Sequence, residues 1–230
     1  MVVAIVLAGG KGSRMNSDVA KQYMKICEKE IIYYCLEAFD KSELIDSIVL
    51  VCGENDLSYC KNDIIDKYNI KKVKTIVAGG KERYDSVYKG LCAIDEKYRD
   101  IVMIHDGARP FVTGEMIKAS VEAVREYGAC TVGVPVKDTI KIVDENGFGV
   151  ATPDRRTLYQ IQTPQTFYYD DIIKAYRQMY NDENHNITDD TMLLEQYIGV
   201  RSKVIPGSYE NLKITTLSDL EIAEKFLQKK

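Results

Sequence analysis

Gly9-Gly10-Lys11-Gly12-Ser13-Arg14 sets three glycines in four positions and two cations within one short turn. Glycine lets a backbone pass close to a ligand, so that its N–H groups can point at phosphate oxygens. Lys21 follows in Ala20-Lys21-Gln22-Tyr23 and could reach round a bound triphosphate, setting a cation beside Arg14 at a transferring phosphoryl group. Phosphoryl-type transfer is mostly positioning and charge neutralisation, so such cations are among the few groups its chemistry demands. Taken singly, each also reads as a solvated surface cation, and the turn as a plain strand-to-helix connection.

Two more segments have residue types suited to the same chemistry. In Gly79-Gly80-Lys81-Glu82-Arg83-Tyr84-Asp85-Ser86, a glycine pair precedes a helix, its backbone able to face a base and Ser86 able to offer a hydroxyl to a nucleotide. Arg83 has two readings there, one facing ligand and one paired with a neighbouring carboxylate. In His105-Asp106-Gly107-Ala108-Arg109, a carboxylate stands beside a small residue at a strand end. That suits a hard divalent cation such as Mg2+, which takes one or two carboxylates and fills its shell with phosphate oxygens and water. His105 reads as a structural hydrogen-bonding group, since His185 is the only other histidine. The same scarcity argues against zinc.

Two familiar phosphate loops do not fit. No Gly-x4-Gly-Lys-Ser/Thr string occurs in the chain. A dinucleotide fingerprint would need a third glycine where Met15 stands, which argues against a nicotinamide-dependent dehydrogenase.

The elements that must position these residues alternate along the chain. Val2–Ala8, Ser47–Cys52, Val73–Ala78, Ile101–His105 and Thr131–Val136 are apolar runs that read as strands. Ile31–Phe39, Leu57–Tyr68, Asp85–Lys97 and Glu115–Tyr127 have apolar residues at helical spacing. This predicts an α/β fold, a mostly parallel sheet with helices on both faces, whose ligands gather beyond the carboxyl ends of the strands. The glycine and aspartate motifs all fall at such ends and could converge on one crevice. Between Lys137 and Phe167 the alternation breaks. Asp138–Val143, the turn Asp144–Gly147 and a stretch toward Ala151 read as a protruding β-arm at about 137–160, whose apolar residues call for a partner and hint at a homodimer. A helix at Asp170–Tyr180, a strand at Val200–Ile205 and a helix at Ser218–Lys229 complete one domain spanning 1–230, with a polar loop at Asp182–Asn186.

Composition bounds the function. A formal net charge of −4 argues against nucleic-acid binding and leaves recognition of an anionic substrate to local basic clusters. Six cysteines (27, 35, 52, 60, 92, 130) without a Cys-x-x-Cys pair read as small buried hydrophobes in a reduced, cytoplasmic protein. The N-terminal apolar stretch is too short for a signal sequence or a membrane span.

Taken in order, the motifs resemble those of the 2-C-methyl-D-erythritol 4-phosphate cytidylyltransferases over essentially the whole chain. They comprise the glycine turn with Arg14 and Lys21, Gly79-Gly80-x-x-Arg83-x-x-Ser86-Val87, and His105-Asp106-Gly107-Ala108-Arg109-Pro110-Phe111. Val134-Pro135-Val136-Lys137-Asp138-Thr139-Ile140-Lys141, Arg155-x-x-Leu158 and Gln162-Thr163-Pro164-Gln165-x-Phe167 follow, then Thr188-Asp189-Asp190 and Asn211-Leu212-Lys213-Ile214-Thr215.

The resemblance implies a Rossmann-like fold that binds CTP and a polyol phosphate, with Mg2+ held by Asp106. Ala8, Gly9, Gly10, Gly12, Gly80, Ser86, Asp106 and Ala108 would form the nucleotide site, and Arg14 and Lys21 would be catalytic. Thr139, Arg155, Thr163, Thr188 and Lys213 would receive the substrate phosphate, Arg155 coming from the arm of a second subunit. Arg156 competes with Arg155, which alone keeps the Arg-x-x-Leu spacing. The resemblance further implies the single-function form, without the cyclodiphosphate synthase fused to some relatives.

Two alternatives remain. Ala8-Gly9-Gly10, where many family members have Ala-Ala-Gly, and Lys21-Gln22 also suit ribitol-5-phosphate cytidylyltransferases of wall polymers. Asp106-Gly107-Ala108-Arg109 and Val134–Asp138 favour the erythritol enzymes. A non-enzymatic paralogue would be marked by loss of Arg14, Lys21 or Asp106, and all three are present.

Overall fold

A computed structural model describes residues 1–10, 19–183 and 186–228. In chain order the strands are β1 (Val2–Ala8), β2 (Lys25–Ile26), β3 (Lys29–Glu30), β4 (Ser47–Cys52), β5 (Val73–Ala78) and β6 (Ile101–Asp106). They continue with β7 (Ala129–Pro135), β8 (Ile142–Val143), β9 (Gly149–Ala151), β10 (Tyr159–Tyr168) and β11 (Lys203–Pro206). The helices are α1 (Ile31–Lys41), α2 (Leu57–Tyr59, continued by a π-helical stretch Cys60–Asp66), α3 (Arg83–Cys92) and α4 (Gly114–Tyr127). After them come α5 (Tyr169–Met179), α6 (Asp190–Ile198) and α7 (Leu217–Leu227).

Side chains on a strand alternate between sheet faces, so a strand buried on both faces must be apolar throughout. β1 meets that demand. Val2, Ala4, Val6 and Ala8 join one core with Leu36 and Phe39 of α1 and Ile117, Val121 and Val124 of α4. Val3 and Ile5 join the other, with Val87 and Leu91 of α3 and Ile172, Tyr176 and Met179 of α5. Helices therefore cover both faces of a seven-stranded sheet ordered β11-β7-β10-β6-β1-β4-β5. β1 runs parallel to β4 and β6, and β5 parallel to β4, so the carboxyl ends of these four strands share one edge. A smaller cluster of Ile26, Ile31, Phe111, Ile214 and Ala223 seats α7 beside the β2–β3 hairpin.

The structure departs from the periodicity at several points. α3 begins at Arg83 because Glu82 and Asp85 form a reciprocal capping box, and it ends at Cys92, leaving Glu96–Tyr98 as a separate 3-10 turn capped by Asp95. β10 is a full central strand, antiparallel to both β6 and β7, with its register interrupted between Ile161 and Gln165 around Pro164. Proline is tolerated at such an interruption, where no ladder hydrogen bond is lost. α6 begins at Asp190 because the Asp189 carboxylate caps it, accepting from Met192 N at 2.8 Å. The arm is a short hairpin of β8 and β9 leaving Ile142, Val143, Phe148 and Val150 exposed. Cys35, Cys52, Cys60 and Cys130 are buried as expected; Cys27 and Cys92 are exposed. No described helix is long and apolar enough to cross a membrane.

Candidate active site

The turns after β1, β5 and β6 meet. A Cβ added at Gly9 would lie 3.7 Å from the Ser86 hydroxyl, and one at Gly79 only 2.8 Å away. A Cβ at Gly80 would fall 2.1 Å from that of Asp85, so glycine is required where the β5 turn presses on α3. Ser86 locks this turn by accepting from Gly80 N at 3.0 Å and donating to the Glu82 carbonyl at 3.2 Å. Between the three turns lies a crevice of about 190 Å³ lined by Gly9, Gly10, Lys21, Gln22, Gly80, Ser86, Asp106, Ala108 and Lys213, among others.

Asp106 ends β6 inside a ring of cations. Its carboxylate meets Lys213 Nζ at 2.8 Å, Arg83 Nε at 3.3 Å and Arg109 Nε at 3.9 Å. Burial alone would raise this carboxyl, but the charges of Arg83, then Lys213 and Arg109, overrule it and hold the group far below the usual carboxylate range. Arg83 also donates to Asp190 at 2.8 Å, and Asp190 accepts from Tyr176 at 2.5 Å. Of the two readings of Arg83, the structure supports the paired one, although its side chain still lines the crevice.

Behind Asp106 runs a buried polar chain. Asp106 N–H donates to Thr163 Oγ1 at 3.1 Å, and Thr163 Oγ1 lies 3.0 Å from His105 Nδ1. His105 Nε2 lies 3.0 Å from the Arg109 carbonyl, which can only accept. The imidazole proton therefore sits on Nε2, and Nδ1 accepts from the Thr163 hydroxyl. Burial pushes His105 down to about 4, so the ring is neutral at physiological pH. His105 is thus structural, as its isolation in the sequence suggests.

Lys213 reaches the site because its segment is tied down on both sides. Arg109 Nη1 donates to the Asn211 carbonyl at 2.8 Å, and Ile214 N donates to the Ala108 carbonyl at 2.9 Å. The buried Asn211 amide donates to the Thr163 carbonyl at 2.9 Å.

A strand-end crevice with one ionised carboxylate among several cations is the setting for handling a phosphorylated substrate. The family model of IspD, 2-C-methyl-D-erythritol 4-phosphate cytidylyltransferase, matches residues 2–229. The chain belongs to that family. A Clostridium botulinum protein of that name is 50% identical over 225 residues, 98% of this chain and 96% of its own. One from Lachnospira eligens is 47% identical over 229 residues, covering 99% of this chain and 100% of its own. The crystal structure of a 4-diphosphocytidyl-2C-methyl-D-erythritol synthase from Anaerococcus prevotii superposes with a TM-score of 0.86 at 33% identity, covering 99% of this chain and 96% of that one.

The residues singled out in the sequence divide by location. Gly9, Gly10, Lys21, Gly80, Ser86, Asp106, Ala108 and Lys213 line the crevice. Ala8 lies buried directly behind it. Arg14 and Gly12 lie outside the described residues. Thr163 does not line the crevice; it is buried and its hydroxyl serves Asp106 and His105. Thr188 is exposed beside a separate cavity of about 20 Å³ that also touches Arg83 and Asp190. Thr139 and Arg155 are exposed on the arm, Arg155 donating to the Lys137 carbonyl at 3.2 Å. Arg156, the competing arginine, is engaged with Asp154 at 2.6 Å. Gln22, Asn211 and Asp190 received no role from the sequence; each is buried and hydrogen-bonded. Each stands beside a charged residue, next to Lys21, Glu210 and Asp189 respectively, so nothing in the sequence marks it as buried.

Proposed function

We propose that the chain transfers CMP from CTP to 2-C-methyl-D-erythritol 4-phosphate, giving 4-diphosphocytidyl-2-C-methyl-D-erythritol and pyrophosphate. The observation that carries this reading is the convergence of the three turns and Lys213 on one crevice, in a chain of that family. Gly9 and Gly10 present backbone to the phosphates, while Ala8, Gly80, Ser86 and Ala108 frame the nucleoside. A phosphate oxygen of the polyol phosphate attacks the α-phosphorus, and the bond to the bridging oxygen breaks with its electron pair leaving on pyrophosphate. That nucleophile is already ionised at neutral pH, so no general base is needed. Both ring nitrogens of the neutral His105 are engaged, which accords with this. Lys21 and Arg14 neutralise the charge growing on the α-phosphoryl and the leaving group.

Asp106, a hard carboxylate at the crevice wall, is the residue that would hold Mg2+ in a one-carboxylate site, sharing its oxygens with Lys213, Arg83 and Arg109. Bound there, the ion would supply Lewis-acid neutralisation of phosphate oxygens. Thr163 holds Asp106 in place through its backbone, and Lys213 and Thr188 serve the polyol phosphate. The exposed Ile142, Val143, Phe148 and Val150 support a homodimer in which the arm delivers Thr139 and Arg155 to the partner. Six free cysteines support a cytoplasmic location.

Pyrophosphate release from CTP and Mg2+, followed in parallel with methylerythritol 4-phosphate and ribitol 5-phosphate, tests the assignment. Fast turnover with the first alone is expected. Preference for ribitol 5-phosphate, or release with neither, overturns it.

A further inference from the structure

Lys21 opens a 3-10 turn, Lys21–Tyr23, whose other two residues are buried. Gln22 is 2% exposed, and its Nε2 donates to the carbonyl of Ala8, the residue that ends β1, at 2.5 Å. Tyr23 anchors the opposite side. Its hydroxyl shares a hydrogen bond with Cys60 Sγ at 3.2 Å, and its ring packs edge-on against Tyr59 at 5.1 Å. With Gln22 pinned to β1 and Tyr23 to the helical segment after β4, the turn is held with Lys21 lining the crevice beside Gln22. Gln22 thus spans from the limb that bears the lysine to the strand that bears Gly9 and Gly10.

We propose that Gln22 is a positioning residue for the transfer reaction. Its amide, donated to the Ala8 carbonyl, fixes the turn against the end of β1 and so sets the reach of the Lys21 ammonium toward phosphates lying over Gly9 and Gly10. The proposal rests on the reading of the crevice as the nucleotide site with Lys21 acting there. The chemistry of the side chain matters as well as its size. A carbonyl needs a donor, so methionine, of similar bulk, loses the bond, and asparagine, one methylene shorter, cannot reach without dragging the turn inward. A displacement of about 1 Å at a catalytic group is enough to cost roughly 10²-fold in rate.

The test is a double-mutant cycle with Lys21→Ala, read as kcat and KM for CTP by pyrophosphate release. Thermal midpoints are recorded for every variant, and Gln22→Asn replaces Gln22→Met should the latter not fold. Gln22→Met alone is expected to lower kcat by about 10- to 100-fold with KM for CTP little changed, since the interaction it supports is made in the transition state. In the Lys21→Ala background the same change should cost nothing further, because the group being positioned is gone. An equal fractional loss in both backgrounds overturns the proposal and makes Gln22 a general support of the crevice. Wild-type kcat in Gln22→Met also overturns it. Wild-type turnover in Lys21→Ala itself sinks the role given to Lys21, a result separable from the other two.

Discussion

Removing Arg83 tests the electrostatic construction of the site. In Arg83→Met, Asp190, whose side chain is 1% exposed, and Asp106, at 11%, both lose the guanidinium that joins them. Breaking a buried ion pair from one side typically costs about 3–5 kcal/mol, because a charge is left without compensation. The lower end applies here. Arg83 keeps 30% of its side-chain surface, and each carboxylate retains one donor, Tyr176 for Asp190 and Lys213 for Asp106. A loss of about 3 kcal/mol corresponds to a fall of roughly 6–12 °C in Tm for a chain of this size.

Urea unfolding at pH 7, with the slope m unchanged, measures this loss directly. Its pH dependence follows from Asp106. A carboxyl whose folded pKa is depressed stabilises the fold above its unfolded value, about 3.9, and loses that contribution as pH falls through the folded value. In Arg83→Met the depression is smaller, so the difference between wild type and variant should stay constant from pH 7 to about pH 4 and shrink only as pH falls further, through the variant's own folded value. A loss below about 1 kcal/mol at pH 7 would refute the reasoning and reduce Arg83 to a screened surface cation.

Asp106→Asn should lower Mg2+-dependent turnover by about 10²–10³-fold or more while circular dichroism shows an intact fold; wild-type activity would remove its metal role. Thr163→Val leaves Asp106 N–H and His105 Nδ1 without the hydroxyl and should cost about 1–3 kcal/mol in urea unfolding, with Thr163→Ser restoring most of it. If valine proves as stable as threonine, the buried chain is not structural. Phe148→Asp, at an arm position that is 71% exposed, should shift sedimentation from dimer to monomer without lowering the monomer's own stability. An unchanged dimer would place the interface elsewhere.

The strands nearest the site were legible because a strand covered on both faces leaves an unbroken apolar run, as in Val2–Ala8 and Ser47–Cys52. β10 was not, because its buried positions hold Gln162, Thr163, Gln165 and Thr166, whose polarity imitates a loop. Most of that polarity is answered only by distant partners. Gln162 donates to the Ser208 carbonyl at 2.8 Å, and Gln165 donates to Asp189 while accepting from Asp190 N. α6 was hidden because its start is set by the Asp189 cap within a motif, Thr188-Asp189-Asp190, that entered only through the family resemblance and as a substrate site. Gly9, Gly10 and Gly80 were found through backbone demands, as glycine turns at strand ends, whereas Ala108 and Lys213 came only through the family resemblance. Arg83 stayed ambiguous because its partner Asp190 lies 107 positions away.

The charge of the crevice explains why a chain with a net charge of −4 can handle a triphosphate. Lys21, Lys81, Arg83 and Lys213 line the crevice, with Arg109 behind them, against Asp106 and Glu82. Cations packed this closely repel one another and would splay toward water unless something held them. Asp106 does so by contacting Arg83, Arg109 and Lys213 at once. Arg109 and Lys213 are then fixed further through Asn211, Ala108 and Thr163, of which only Ala108 lines the crevice. Donors held in place before substrate arrives cost no reorganisation when charge develops, and preorganisation of this kind is the larger part of most electrostatic catalysis. With the Mg2+ role proposed above, Asp106 would do two jobs that its own substitution cannot separate, as a hard oxygen ligand and as the counter-ion that keeps the cations aimed. Lys213→Ala keeps the oxygen ligand in place with Arg83 and Arg109 while removing one of the aimed cations together with its service to the polyol phosphate.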